Sequence, residues 1–118
     1  MQPKPTNNIV VEWNGRTAVL HPLMNLVAAV VPELRSALRA VVAKGVDELT
    51  IDFSHIEMVD SSGLGLLIAA HNSVAKSGGR LAVIHVREEI LKLFRSMRIH
   101  QHFAVSGDEV ELPGAAAQ

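Results

Sequence analysis

The feature that most constrains the fold is the alternation of short strand-like segments with longer helix-like segments. Residues 49–54 alternate apolar and polar side chains, the period of a strand with one buried face. Residues 63–76 are helix-like and end before Gly78, and residues 80–86 contain a nearly continuous apolar run typical of a parallel strand. Strand, helix and parallel strand in this order predict an α/β fold with a crossover connection.

The remaining segments extend the same sheet and cover it. A hairpin, two more helices and a short last strand are predicted at residues 9–13 with 16–20, 32–45, 88–98 and 103–105. Asn14 and Gly15 suit a type I′ turn in the hairpin, and Pro32 suits a first helical turn. Residues 108–112 fit either a helical turn or irregular structure. We therefore expect one α/β domain: a mixed sheet of four to five strands, formed by an N-terminal hairpin plus parallel βαβ units, packed with three to four helices.

Composition narrows the classes of function. The 118 residues are 48% hydrophobic and 19% charged with a net charge of -1, which predicts one globular domain and favours neither nucleic acid nor an anionic membrane. One Trp, three Phe and no Tyr leave no stacking platform for single strands. The absence of Cys excludes disulfides and cysteine-ligated zinc, and the sequence shows neither an export signal nor an apolar span. We expect a cytoplasmic protein with a flexible arm at residues 1–8 and a disordered tail at 113–118.

Motifs for metal, nucleotide or hydrolytic chemistry are missing from the sequence. The six histidines lack metal-ligand spacing, and the nearest pair, His100 and His102, falls in an expected loop, so they are interpreted as surface histidines. Gly63 and Gly65 do not complete a phosphate-binding motif, and no nucleophile elbow surrounds the serines beside them. We expect no cofactor, no metal and no enzymatic activity.

Two adjacent hydroxyls at the start of the second predicted helix are the most informative polar group. Ser61 and Ser62 follow Asp60 where the chain turns into that helix. One interpretation is capping, in which a serine oxygen accepts hydrogen bonds from the first turn. The other is a modification site, because the positive end of a helix tolerates an added phosphate. Residue pattern alone leaves both open.

A family resemblance bears on this choice. The segment from residue 49 to 67 resembles the signature of STAS domains, especially bacterial anti-sigma factor antagonists, and the likeness extends over residues 9–112. The resemblance implies that a partner kinase, itself the anti-sigma factor, phosphorylates Ser61. It also implies that Gly63 allows close approach of a partner's backbone. The partner-binding residues implied in this segment are Asp60, Ser61, Ser62, Gly63 and Leu64.

A second segment departs from the family's pattern. Members commonly carry an acidic residue and a threonine before the proline of the first helix, where this sequence has Val27 and Val30. Residues 23–31 are almost wholly apolar and should flank Ser61, because loops leaving parallel strands meet at one edge. Leu26, Val27 and Val30 are interpreted either as a hydrophobic partner surface or as core. The loop after the fourth predicted strand should lie at the same edge, and it carries Arg87. Arg87 is interpreted either as a cation that could neutralise a phosphate or as a solvated arginine.

The resemblance implies two alternative functions. In the first, the unphosphorylated chain binds a serine-kinase anti-sigma factor and releases a sigma factor, phosphorylation at Ser61 ends binding, and a metal-dependent serine phosphatase resets it. In the second, the chain is a non-switching subunit that docks on the ATPase of a bacterial lipid-transport complex. The oligomeric state is left open. Both alternatives make the chain a binding module and not an enzyme.

Overall fold

In the part of the chain that the structure describes, six strands form one mixed sheet, in the same order as they occur in the sequence. The structure is a computed structural model in which residues 8–107 and 111–112 are described. The strands are β1 Ile9–Asn14, β2 Thr17–Pro22, β3 Glu48–Asp52, β4 Arg80–Ile84, β5 Ala104–Ser106 and β6 Glu111–Leu112. The helices are α1 Val31–Lys44, α2 Ser61–Lys76 and α3 Glu88–Ser96, with 3-10 turns at Ala28–Val30 and Ile99–Gln101.

Strands β2 to β5 run parallel, whereas β1 and β6 pair antiparallel at the two ends of the sheet. Burial alternates along β2, β3 and β4, so one sheet face is buried and the other is at most half-buried. The buried face forms one apolar cluster with the helices, in which Phe53 meets Phe94 of α3 edge to face at 5.9 Å. No helix among the described residues is long and apolar enough to cross a membrane.

The predicted fold class is confirmed, with local corrections. The hairpin turn consists of Gly15 and Arg16, because Asn14 pairs with Thr17. Only Gly15 of these two has a positive φ, at 63°, so the predicted type I′ turn, which needs two, is wrong. The stretch interpreted as a helical turn or irregular structure contains β6 instead, since Leu112 pairs with Val105.

The predicted terminal segments fall almost wholly outside the described residues. Residues 1–7 and 113–118 belong to that part of the chain. Asn8, the last residue of the predicted arm, is described, and its carbonyl accepts a hydrogen bond from the Leu23 N–H at 2.6 Å. The chain is therefore attached to the sheet from the residue before β1.

A polar cluster lies on the half-buried face of the sheet. The His21 ring nitrogens lie 2.7 Å from the Glu12 carboxylate and 2.9 Å from the Asp52 carboxylate. Partial burial lowers the pKa of His21, but hydrogen bonds and charges from Glu12 and Asp52 outweigh it and raise the pKa above its usual range. For Asp52, partial burial raises the pKa, but hydrogen bonds from Ser54 and His21 outweigh it and lower the pKa. His21, interpreted from sequence as a surface histidine, therefore links three strands.

This cluster predicts a pH-dependent stability. A raised histidine pKa stabilises the fold below the unfolded value of about 6.5, and that contribution disappears as pH rises through the folded value. A lowered Asp52 pKa acts in the opposite sense and is lost only as pH falls below about 4. His21→Gln should therefore reduce the denaturation midpoint most between about pH 5 and 6 and much less near pH 9.

Urea unfolding of both proteins across that range measures the effect. The control is His55→Gln, since His55 is an exposed histidine in the loop that follows β3. A His21→Gln effect of equal size at pH 5.5 and pH 9 would contradict the role given to the ion pairs.

Candidate functional site

The N-terminus of α2 is capped by an aspartate and not by a serine. Asp60 occupies the cap position, and one carboxylate oxygen accepts a hydrogen bond from the Gly63 N–H at 2.9 Å. The other oxygen accepts from the Ala28 N–H at 3.0 Å. These backbone donors, Gly63 first and Ala28 second, lower the pKa of Asp60. The capping interpretation of Ser61 and Ser62 is therefore wrong.

Both serine side chains are left exposed by this arrangement. Ser61 and Ser62 are the first two residues of α2, and both are exposed. Within the described part of the chain, neither hydroxyl has a hydrogen-bond partner. Two hydroxyls thus face solvent at the positive end of a 16-residue helix, where an added anion is favoured.

The loop after β2 is joined to the loop after β3 by backbone hydrogen bonds. The Leu26 N–H donates to the Met58 carbonyl at 3.0 Å, and the Asp60 N–H donates to the Leu26 carbonyl at 3.1 Å. The Asn25 side-chain oxygen also accepts from the N–H groups of Glu57 and Met58, at 2.8 Å and 3.1 Å. The predicted juxtaposition of the apolar segment with the serines therefore exists, and it is made by main-chain contacts.

Gly63 is needed for this junction. A Cβ atom at Gly63 would lie 2.3 Å from the carbonyl oxygen of Leu26 and 3.0 Å from the Leu26 Cβ. Gly63 is also buried, so the backbone that approaches it belongs to its own chain. This corrects the expectation that Gly63 accommodates a partner's backbone.

The apolar segment is divided between the core and the surface. Leu26 is fully buried and Val31 is buried at the start of α1, whereas Val27 and Val30 are half-buried beside exposed Ala28 and Ala29. The core interpretation is therefore correct for Leu26, whereas a partner surface at Val27 and Val30 stays a prediction.

Two predicted partner-binding residues have inward side chains. Leu26 has no exposed surface and Leu64 is 6% exposed, because each packs into the cluster beneath the sheet edge. Their side chains cannot form a docking surface in this structure, which corrects their assignment. The backbone of Leu26 still holds Met58 and Asp60 in position through its hydrogen bonds.

We call the exposed group at this junction the serine edge. It comprises Ser61, Ser62, Ala28, Ala29, Met58 and the half-buried Val27 and Val30. Met58 is the most exposed large apolar side chain among the described residues, at 57%. Sequence reasoning missed Met58, because Ile56 and Val59 beside it are also apolar and the pattern does not show which of the three is exposed.

Arg87 lies at the same edge through its pairing with Glu57. Arg87 is the residue before α3, and its guanidinium lies 3.8 Å from the Glu57 carboxylate, with both side chains exposed. Glu57 belongs to the loop that leads to Ser61. An exposed pair at this distance is weak, so Arg87 is free to exchange partners.

No group of three or more His, Asp or Glu side chains in the described residues could hold a metal ion.

The family model described as "Mlab, STAS domain" matches residues 9–107 of the chain. The chain belongs to the STAS domain family. This match covers the sheet from β1 to β5, helices α1 to α3 and the serine edge. The resemblance noted from residues 49–67 is therefore confirmed at the level of the family.

Solved structures agree with the family on the fold. A Thermotoga maritima protein assigned as an anti-sigma factor antagonist is similar, with a TM-score of 0.80 and 16% identity over 87% of this chain and 89% of that one. An anti-sigma factor antagonist from Mycobacterium paratuberculosis gives 0.75 and 24% identity over 83% of each chain. The Bacillus cell-fate determinant SpoIIAA, in its phosphorylated form, gives 0.66 and 19% over 86% and 93%. At these identities the likeness shows the STAS fold.

The contact at Gly63 predicts an inverted response to alanine. Glycine to alanine in a helix normally stabilises by about 1 kcal/mol, yet Gly63→Ala should lower the free energy of unfolding by about 1–3 kcal/mol through overpacking against Leu26. Gly65→Ala is the matched control, because that helical position is exposed and has no atom within 4 Å of the added Cβ. It should stabilise by about 0.5–1 kcal/mol.

Denaturant unfolding of the two variants and the parent protein measures both effects. The two substitutions should move the midpoint in opposite directions. If Gly63→Ala is as stable as Gly65→Ala, the close approach of Leu26 is not a constraint on this site.

Proposed function

We propose that this STAS domain is an anti-sigma factor antagonist whose binding surface is the serine edge and whose switch is phosphorylation of Ser61. The observation that carries the proposal is the exposed, unpaired Ser61 hydroxyl beside an aspartate that already caps the helix. Because Asp60 satisfies the Gly63 N–H, Ser61 has no structural duty that a modification would break. Its hydroxyl is available to an external kinase.

The physical basis of the switch is electrostatic and local. A phosphoserine carries about -1.5 to -2 charges at neutral pH. At Ser61 it would stand next to the Asp60 carboxylate and the apolar side chains of Val27, Val30 and Met58. A partner that covers those apolar groups would have to bury part of that charge, which costs far more than burying a hydroxyl. Phosphorylation therefore weakens docking without a change of fold.

The chain acts as a substrate in this proposal and not as an enzyme. The partner kinase, which is also the anti-sigma factor, supplies nucleotide, magnesium and the catalytic base. A metal-dependent serine phosphatase restores the hydroxyl. Phosphorylation and dephosphorylation take place in the cytoplasm, and this chain needs no cofactor of its own.

A second function uses the same edge without a switch. The half-buried Val27 and Val30 with exposed Ala28, Ala29 and Met58 give the serine edge an apolar character that suits a constitutive contact. In this alternative the domain is a subunit that docks on the ATPase of a bacterial lipid-transport complex, and Ser61 is a contact residue. Modification of Ser61 separates the two functions.

Substitutions at Ser61 test the switch. Incubation with the cognate kinase and ATP should add one phosphate, which mass spectrometry should locate at Ser61. Ser61→Ala should bind the unmodified partner as the parent does, and Ser61→Asp should bind at least about tenfold more weakly, as a like charge near an interface does. Calorimetry or surface plasmon resonance measures the affinities.

Asn72→Asp is the matched control, because it adds the same charge at an exposed position of α2 outside the serine edge and should leave the affinity unchanged. Phosphate at another residue, or none, would overturn the switch. Capture of a transporter ATPase by Ser61→Ala, with no phosphorylation, would favour the second function. If Ser61→Asp binds the partner with the parent's affinity, partners do not use this edge.

A further inference from the structure

A groove between α1 and α2 lies outside the serine edge and is used by neither proposed function. Its volume is about 300 Å³ and its lining is mainly apolar. Its floor consists of buried side chains of both helices, Leu38, Leu66 and Ala70, and its accessible apolar surface is contributed by Val42, Ala43 and Ala69. Two arginines of α1, Arg35 and Arg39, complete its wall on one side.

The charge of the groove is entirely positive. Arg35 and Arg39 are both exposed and form no ion pair within the described residues, and no acidic side chain is among those that line the groove. By contrast, Arg16 is paired with Asp47 at 3.0 Å and Lys44 lies over the Trp13 ring at 5.4 Å. An apolar surface beside two unpaired guanidinium groups is complementary to an apolar surface that carries carboxylates.

The shape of the groove fits a helix. Two packed helices present a channel into which the side chains of a third helix fit, and the small residues Ala69 and Ser73 on the α2 side allow that helix a close approach. Arg35 and Arg39 are four residues apart, on the order of 6 Å along the axis, which equals the spacing of two carboxylates one turn apart on a partner helix.

We propose that this groove binds an amphipathic helix of a partner protein that carries acidic residues one turn apart beside its apolar face. Ser62 lies on the same face of α2 as Leu66 and Ser73, since it precedes them by four and eleven residues. The groove thus begins below the serine edge, and one partner can occupy both. The inference goes beyond the proposed switch and does not require Ser61 to be modified.

A peptide selection tests this without knowledge of the partner. A phage-displayed library of random 16-residue peptides is selected on the full chain and counter-selected on Arg35→Glu/Arg39→Glu. The expected consensus is an apolar helical pattern with Asp or Glu spaced by three or four residues. The best peptide should bind the parent at least tenfold more tightly than the double variant, measured by fluorescence anisotropy. A basic or neutral consensus, or equal affinity for both proteins, overturns the proposal.

Three controls separate binding in the groove from a general effect of charge, from binding at the serine edge and from dimerisation. Lys92→Glu/Arg95→Glu makes the same change of net charge at exposed positions of α3 and should leave peptide affinity within about twofold. Ser61→Asp should also retain affinity within about twofold, which separates failure of the groove from failure of the switch. Sedimentation of the parent should show no self-association that Arg35→Glu/Arg39→Glu abolishes, because such dimerisation would make a second copy the occupant and overturn the proposal.

Discussion

The arrangement of the serine edge depends on the two hydrogen bonds accepted by the Asp60 carboxylate. One oxygen caps α2 through Gly63, and the other holds Ala28 at the start of the 3-10 turn before α1. The same carboxylate therefore sets the start of one helix and the approach to another. Because Gly63 has no Cβ, the Leu26 carbonyl can lie against the first turn of α2. The exposed serines and the apolar side chains beside them are positioned by this junction.

The junction lets the site be rigid in its backbone and variable in its side chains. Main-chain contacts join Leu26 to Met58 and Asp60, and the Asn25 side chain reinforces them. Val27, Ala28, Ala29 and Val30 are exposed or half-buried, and the backbone hydrogen bonds of this junction do not involve their side chains. Valines at positions 27 and 30 are therefore compatible with the STAS architecture.

The sheet, the helices and the position of the serine edge were predictable because each is a local or topological property. The alternation in residues 49–54, the apolar run before residue 86 and the glycine after each of the first two helices determine their elements with little help from distant residues. Parallel strands then bring the loops after β2 and β3 to one edge. The hairpin was predicted, but its turn type and turn residues were wrong, and strand β6 was missed. Each depends on which residues pair across strands, a register that neighbouring sequence does not reveal.

The sequence by itself determined that this chain is an α/β STAS domain with two hydroxyls at a helix start. Periodicity, turn residues and the Asp60-Ser61-Ser62-Gly63 segment are local features, and each involves only residues that are neighbours in the sequence. Only the tertiary structure decided which group caps that helix, which apolar residues are core, and whose backbone Gly63 accommodates. The buried leucine and the close backbone approach depend on a second segment more than 30 residues away, and sequence spacing does not show where that segment lies. The cap bond from Gly63 to Asp60 is local, but three adjacent side chains could have accepted it, and only the structure shows which one does.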